Sequence, residues 1–332
     1  MDPRRTGLQA EILKFHHTQQ KFHHRFQRFT TEFTVLQHRR PHIVVGIFIA
    51  ISLLPFGIKY EKMEIKNSNI LITGGASGIG KIMGRMALEK GAKCFIIWDI
   101  NETGIQTTKN ELSKFGRVEG YIVNVADPEA VENAYRKTVE ECGDIDILIN
   151  CAGIIASNKT FDEITPEVIF RTMNINAIAP MLVARVTLPD MLRRNHGCIC
   201  NITSAGGMLS NPKMSVYSAS KWAAIGWSDS VRIELQERKS KVYFTTVAPY
   251  YINTGMFDGV KSRIIPILKP EYVAKRVLRG IQKEKSFCGI PFGFHFIRFW
   301  QFILPTRVFD FFFGKVIGIY HAMDNFTGRK NA

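Results

Sequence analysis

The chain has 332 residues, more than one nucleotide-binding domain needs and fewer than two full domains with a linker usually take. Hydrophobic residues make up 45% and charged residues 22%, which excludes a largely disordered chain and leaves enough apolar material for a sizeable core. The formal charge of +15 would suit nucleic acid, but no basic run stands among aromatics on a recognisable nucleic-acid module, so an anionic membrane surface is the favoured partner.

In the first forty residues, Leu8, Ile12, Phe15, Phe22, Phe26, Phe29, Phe33 and Leu36 recur three or four apart, interrupted only at Gln19. That spacing is one face of a helix. Lys14, Lys21, Arg25 and Arg28 flank the stripe, and a basic helix with an aromatic face suits the headgroup boundary of a bilayer. A coiled-coil seam is the alternative, weakened by the bulk of phenylalanine. His16 and His23, like His17 and His24, are two helical turns apart, roughly 10 Å, too far to share one ion, so no metal site is expected.

Residues 43–58 are sixteen positions without a charge, slightly short of the span a bilayer needs. A cleaved signal peptide and a core helix are the alternatives. Lys59, Lys62 and Lys66 balance Arg28, Arg39 and Arg40, so the positive-inside rule cannot orient the segment. The expected organisation is a basic amphipathic extension over 1–41, a hydrophobic membrane anchor over 42–60, a nucleotide-binding domain over 67–290 and an aromatic extension over 291–332.

After Lys66 short apolar runs alternate with helical stretches. Strands are expected at Ile70–Thr73, Lys93–Asp99, Arg117–Asn124, Ile145–Asn150, Gly197–Ser204 and Lys241–Pro249, with helices between them. The fold class is α/β, a doubly wound parallel sheet of Rossmann type. Scattered Cys94, Cys142, Cys151, Cys198, Cys200 and Cys288 show neither zinc nor disulfide spacing, which fits a reducing, cytosol-facing domain. Cys198 and Cys200 alternate on a central strand and read as core.

The glycine-rich turn Gly74-Gly75-Ala76-Ser77-Gly78-Ile79-Gly80 opens a helix directly after a strand, where backbone amides and the helix dipole can meet a pyrophosphate. A merely tight connection is the bland alternative. Asp99 closes the second strand nineteen residues after Gly80, where its carboxylate can accept both ribose hydroxyls and repel a 2′-phosphate. Neither Ser77, Ile100 nor Asn101 is basic, so NAD is favoured over NADP. Tyr217 and Lys221 lie four apart on one helix, and Ser204 stands thirteen residues before the tyrosine at the carboxyl end of a strand. A lysine cation close by favours the phenolate, and a hydroxyl in the ligand crevice can hold a substrate oxygen while the phenol exchanges its proton.

The runs TGGASGIG, Asn150-Cys151-Ala152-Gly153 and YSASK, with Asn176 and Ser204, resemble the short-chain dehydrogenase/reductase superfamily from about Asn69 to Pro249. Within it, Trp98-Asp99-Ile100-Asn101, the stretch from Pro249 to Phe257 and His321-Ala322-Met323-Asp324 resemble the epidermal retinol dehydrogenase and lipid-droplet 17-beta-hydroxysteroid dehydrogenase group. The resemblance implies Tyr217 as catalytic acid/base, Lys221 on the nicotinamide ribose, Ser204 on the substrate oxygen and Asn176 as anchor of a proton-relay water. It places NAD against Thr73, Gly74, Ser77, Gly78, Ile79, Gly80, Asp99, Asn124, Val125, Asn150, Ala152, Gly153, Tyr217, Lys221, Pro249, Ile252 and Thr254. This chain has Cys151 where the family often has asparagine, and Asn124 where it often has aspartate. The Asn124 carbonyl oxygen still offers an acceptor to an adenine amino group.

Between Thr254 and Pro270 the apolar Met256, Phe257, Ile264, Ile265, Ile267 and Leu268 form the expected substrate lid, and a helix starts at Pro270. The phenylalanine-rich stretch from Phe287 to Phe313 is either core or a second membrane-facing surface. The expected activity is NAD-dependent interconversion of a lipophilic alcohol or ketone, with retinol oxidation first and a 17-beta-hydroxysteroid second. A non-catalytic lipid-droplet scaffold is the rival class, and a homodimer is left open. The expected location is the endoplasmic reticulum membrane or the lipid droplet, with the catalytic domain facing the cytosol.

Overall fold

The computed structural model describes residues 63–328. The amphipathic stripe, the histidine-rich stretch and the hydrophobic anchor expected before residue 62 lie outside the described residues.

Seven parallel strands run in the order β3-β2-β1-β4-β5-β6-β7: β1 (Asn69–Thr73), β2 (Cys94–Asp99), β3 (Arg117–Ile122), β4 (Ile147–Asn150), β5 (Cys198–Ile202), β6 (Tyr243–Pro249) and β7 (Phe287–Ile290). The order reverses between β1 and β4, and the crevice beyond the carboxyl ends of the strands at such a reversal is where doubly wound sheets bind ligands. Six strands are those the hydrophobic runs predict. The seventh, Phe-Cys-Gly-Ile, closes the expected nucleotide-binding domain at the head of the phenylalanine-rich stretch, and it pairs with β6 from Thr246↔Phe287 to Pro249↔Ile290.

Alternation along the strands divides the core in two. Ile70, Ile72, Phe95, Ile97, Ile147, Ile149, Cys198 and Cys200 bury on one face. Leu71, Cys94, Ile96, Trp98, Leu148, Ile199 and Phe244 bury on the other. Both faces are therefore covered, as near-continuous apolar strands require. Cys198 and Cys200 are core residues, as their alternation implies.

The helices are α1 (Gly78–Glu89), α2 (Glu102–Leu112), α3 (Pro128–Cys142), α4 (Pro166–Met173), α5 (Ala179–Arg194), α6 (Ser215–Glu237), α7 (Pro270–Gln282), α8 (Ile297–Ile303) and α9 (Thr306–Phe309). Their starts are written locally. Asn101 accepts from Gly104 N at 2.9 Å, Asp127 accepts from Glu129 N and Ala130 N at 3.0 and 3.2 Å, and Pro270 opens α7 where its missing N–H costs nothing. Asn124 Oδ1 accepts from Ala126 N at 3.1 Å in the turn after β3, which stops at Ile122 rather than Asn124.

Helices α4 and α5 are joined without a break by a π-helical segment, Asn174–Ile178. The combined stretch Pro166–Arg194 is long and apolar enough to cross a membrane. It instead packs on β4, β5, α3 and α6, which makes it a core helix of this sheet.

Candidate active site

The glycine turn is shaped for close approach. A Cβ on Gly80 would lie 2.4 Å from the Gly74 carbonyl oxygen, and one on Gly74, itself at φ +68°, would lie 3.0 Å from Ala152 Cα. Neither position tolerates a side chain, so the backbone between β1 and α1 is bare. The Ser77 side chain makes no capping bond, Ile79 sits in the first helical turn, and the amides of α1 face the crevice end of the sheet. Gly78 approaches Thr254 from the opposite loop, where a Cβ on the glycine would find Thr254 Cβ at 3.9 Å.

Asp99 holds the neighbouring rim. Its Oδ2 accepts from Ala76 N at 3.1 Å and its Oδ1 from Asn101 N at 3.1 Å, tying the glycine turn to the end of β2. Thr73 Oγ1 accepts from Cys151 N and Ala152 N at 3.1 and 3.2 Å, locking β1 to the loop after β4. Asn150 donates to Asn201 Oδ1 at 2.8 Å and to the Pro180 carbonyl at 3.3 Å, while its own Oδ1 is buried without a partner. Asn124 spends its carbonyl oxygen on Ala126 N, and Val125 behind it is buried. Pro249 ends β6 and Ile252 bridges to Leu268, which folds the following loop back over the strand ends.

The four residues expected to do chemistry converge at the ends of β4 and β5. Ser204 begins a 3-10 turn over Ala205–Gly207, and its Oγ accepts from Gly206 N at 3.0 Å. Tyr217 and Lys221 occupy successive turns of α6, with the lysine Nζ 5.7 Å from the tyrosine ring centre and donating to the Ile202 carbonyl at 3.2 Å. The π-helical segment aims Asn176 inward. Its Oδ1 accepts from Ile154 N at 2.8 Å, and its Nδ2 donates to the Ile154 carbonyl at 2.9 Å and to Ser220 Oγ at 3.2 Å. Gly153 lies between these groups, since a Cβ there would stand 3.2 Å from Asn176 Oδ1 and 3.4 Å from Lys221 Nζ.

Burial dominates the electrostatics. The Tyr217 phenol is pushed up to about 12 by desolvation, with the Ser204 hydroxyl opposing, and the Lys221 amine is pushed down to about 8 by desolvation, with Cys151 opposing. Burial sets the direction for the phenol, and the Lys221 amine expected to favour its phenolate stands 5.7 Å from the ring centre.

On the substrate side, a narrow cavity runs between Ser204, Gly206 and Leu209 on one wall and Tyr250, Tyr251 and Ile319 on the other. Tyr251 receives a bond from Asn211 Nδ2 at 2.7 Å and stacks edge-on to Phe257 at 5.0 Å. Of the expected lid residues, Phe257 reaches the site and Leu268 is buried, but Ile264 and Ile267 face solvent. Sequence reasoning missed Leu209, Asn211, Met214 and Ile319. The first three lie between Ser204 and Tyr217, a segment that two flanking site residues could have flagged; Ile319 carries no such signal. Among the described residues no cluster of histidine, cysteine, aspartate and glutamate could hold a metal ion.

A model of the short chain dehydrogenase family matches residues 68–264, which takes in the glycine turn, Asp99 and the Ser204–Tyr217–Lys221 group. The chain belongs to the short-chain dehydrogenase family. Among its curated relatives, human epidermal retinol dehydrogenase 2 is 32% identical over 285 residues, covering 84% of this chain and 90% of the relative. Human estradiol 17-beta-dehydrogenase 11 is 30% identical over 258 residues, covering 77% and 85%. A solved short-chain dehydrogenase/reductase from Burkholderia phymatum, in complex with NAD, superposes with a TM-score of 0.65 at 22% identity, over 71% of this chain and 93% of that one. As a short-chain dehydrogenase, the protein is an oxidoreductase acting on CH–OH groups with a nicotinamide cofactor. The bare turn at Gly74 and Gly80, and the gap at Gly153 beside Lys221 and Asn176, fit such a dinucleotide.

Proposed function

We propose that this short-chain dehydrogenase oxidises a long, apolar primary alcohol of the retinol type with NAD. The observation that carries the reading is Ser204, which bonds to Tyr217 of the Tyr217, Lys221 and Asn176 group and also lines a cavity shared with Leu209, Met214, Tyr250, Tyr251 and Ile319. The relatives named for retinol and estradiol support a lipophilic alcohol, and the 17-beta-hydroxysteroid is the second candidate.

When bound, the nicotinamide supplies a hydride acceptor. The chain does the rest. Ser204, already bonded to Gly206 N, keeps its own proton to donate to the substrate oxygen. Tyr217 takes the hydroxyl proton as phenolate, or gives it back in the reductive direction. Lys221 holds ribose hydroxyls, and Asn176, spanning Ile154 and Ser220, steadies the helix turn behind Tyr217 and anchors the proton relay. Asp99 accepts from the ribose at the edge of β2, and the absence of basic residues at Ser77, Ile100 and Asn101 selects NAD over the phosphorylated cofactor. Thr254, facing Gly78, reaches the carboxamide end of the cofactor, and Pro249, Ile252, Ala152 and Val125 line its path.

The membrane is the proposed second partner, at the endoplasmic reticulum or the lipid droplet, with the catalytic domain on the cytosolic side. Residues 42–60 form the proposed anchor. Phe292, Phe296, Trp300, Phe302, Phe311 and Phe312 are exposed after β7, beside the cations Arg298, Arg307 and Lys315, which supports a second contact with lipid.

The test is kcat/KM for all-trans-retinol, a 17-beta-hydroxysteroid and a long-chain alcohol, each with NAD and membrane-reconstituted protein. Retinol ranking first is expected; retinol ranking last overturns the substrate reading.

A further inference from the structure

The cavity beside Ser204 has a volume of about 20 Å³, the size that holds roughly one water. It accommodates a hydroxyl and its carbon and no more of a lipophilic alcohol. Directly behind it lies a second cavity of about 290 Å³, near the lower end of the range for small-molecule sites. Leu209 and Ile319 line both, so these two side chains stand between them.

The second cavity is built largely from side chains the chemistry does not use. Helix α6 contributes Trp222, one residue past Lys221, so the same turn that presents the amine inward presents an indole to the outer space. The carboxyl-terminal segment contributes Phe309 and Phe313, whose rings stack at 4.4 Å, together with Thr306 at the rim. The polar groups in its wall are largely bonded to the protein. Tyr320 OH donates to Asp310 Oδ1 at 2.7 Å, and Gln301 Nε2 donates to the Met208 carbonyl at 2.7 Å. About half of what faces the space is aromatic and aliphatic, from Leu209, Trp222, Phe309, Phe313 and Ile319, and the same segment carries the exposed phenylalanines.

We propose that this outer cavity is the tail subsite: it takes the apolar body of the alcohol, a chain or polyene too long for the Ser204 chamber, with Leu209 and Ile319 turning aside to let the tail through. This rests on the dehydrogenase reading of Ser204 and Tyr217, and it makes chain length the property the enzyme reads. Each methylene lodged in the cavity is expected to raise kcat/KM about fourfold until the space is full.

The experiment uses the full chain in nanodiscs with NAD, comparing butanol with dodecanol, and separately measures the affinity for all-trans-retinol from its fluorescence. Thr306→Phe and Ser210→Phe fill the outer cavity from its exposed rim without touching the reacting groups. The expected result is a loss of about tenfold or more for dodecanol, butanol unchanged within about twofold, and a matching loss of retinol affinity. An unchanged dodecanol-to-butanol ratio with unchanged retinol affinity overturns the proposal, as does an equal fall for both alcohols. If the wild-type chain turns over neither alcohol, the dehydrogenase reading fails, and the retinol arm decides the cavity alone: weakened binding in both variants upholds it and unchanged binding overturns it.

Discussion

The Phe257 ring stands edge-on to Tyr217, with centroids 6.3 Å apart and planes at 87°. A residue of the loop after β6 thus helps to cover the phenol that α6 presents, and burial is what pushes that phenol up. Phe257→Ala is expected to let water back in and bring the phenol down from about 12 towards its ordinary 10. In the oxidative direction the rising limb of the pH–rate profile then moves to lower pH. A limb that stays in place removes Phe257 from this role.

Tyr217→Phe keeps the ring and its contact with Phe257 but deletes the exchangeable proton. Turnover is expected to fall at least about a hundredfold while NADH binding, read by its fluorescence, is nearly intact. Activity remaining above about a tenth of wild type would sink the assignment.

Cofactor choice is read as a ratio. Asp99→Ala with Ile100→Arg is expected to shift preference towards NADP, and because Asp99 also receives Ala76 N and Asn101 N, affinity for both cofactors should drop. Equal use of NAD and NADP by the unaltered protein counts against the reading.

Lys221 makes stability depend on pH with a definite sign. Its folded pKa of about 8 lies below its ordinary 10.5, so between those values the unfolded chain binds more protons and stability rises with pH. Near neutrality both states are protonated and the full cost of burying the cation is present. Lys221→Met should therefore be more stable than wild type near neutrality, by about 1–3 kcal/mol, with the advantage fading as pH rises to about 10.5. Thermal melts of both proteins across that range check it; a gap that widens with pH would refute the argument.

Removing residues 1–60 is expected to release part of the protein from alkaline-washed membranes. Complete retention of the shortened chain would move the anchor to the surface carrying Phe302, which is 87% exposed.

What could be read ahead of the structure followed from regular spacing. Six strands, the bare turn at Gly74 and Gly80, and the grouping of Ser204, Tyr217 and Lys221 each have a period or a fixed separation that survives in one dimension. Strand ends did not: β3 stops at Ile122, two residues short of the expected end, and just beyond it Asn124 turns the chain by accepting from Ala126 N. Strand β7 escaped notice because four apolar residues inside an aromatic run have no period of their own. Ile319 was invisible for a different reason: it enters the site from the far end of the chain, and only tertiary packing brings it beside Leu209.

The π-helical segment at Asn174–Ile178 makes the length of this stretch matter as much as its residues. Each residue of a regular helix advances the azimuth by about 100°, and the wide turn absorbs one surplus residue while the helix continues from α4 into α5. A single deletion there would restore an ordinary helix with nearly the same composition. It would also swing Asn176 away from Ile154 and Ser220, and everything after it on α5 would face a different neighbour. Alignments that slide one gap through this helix would therefore equate residues that cannot do the same work.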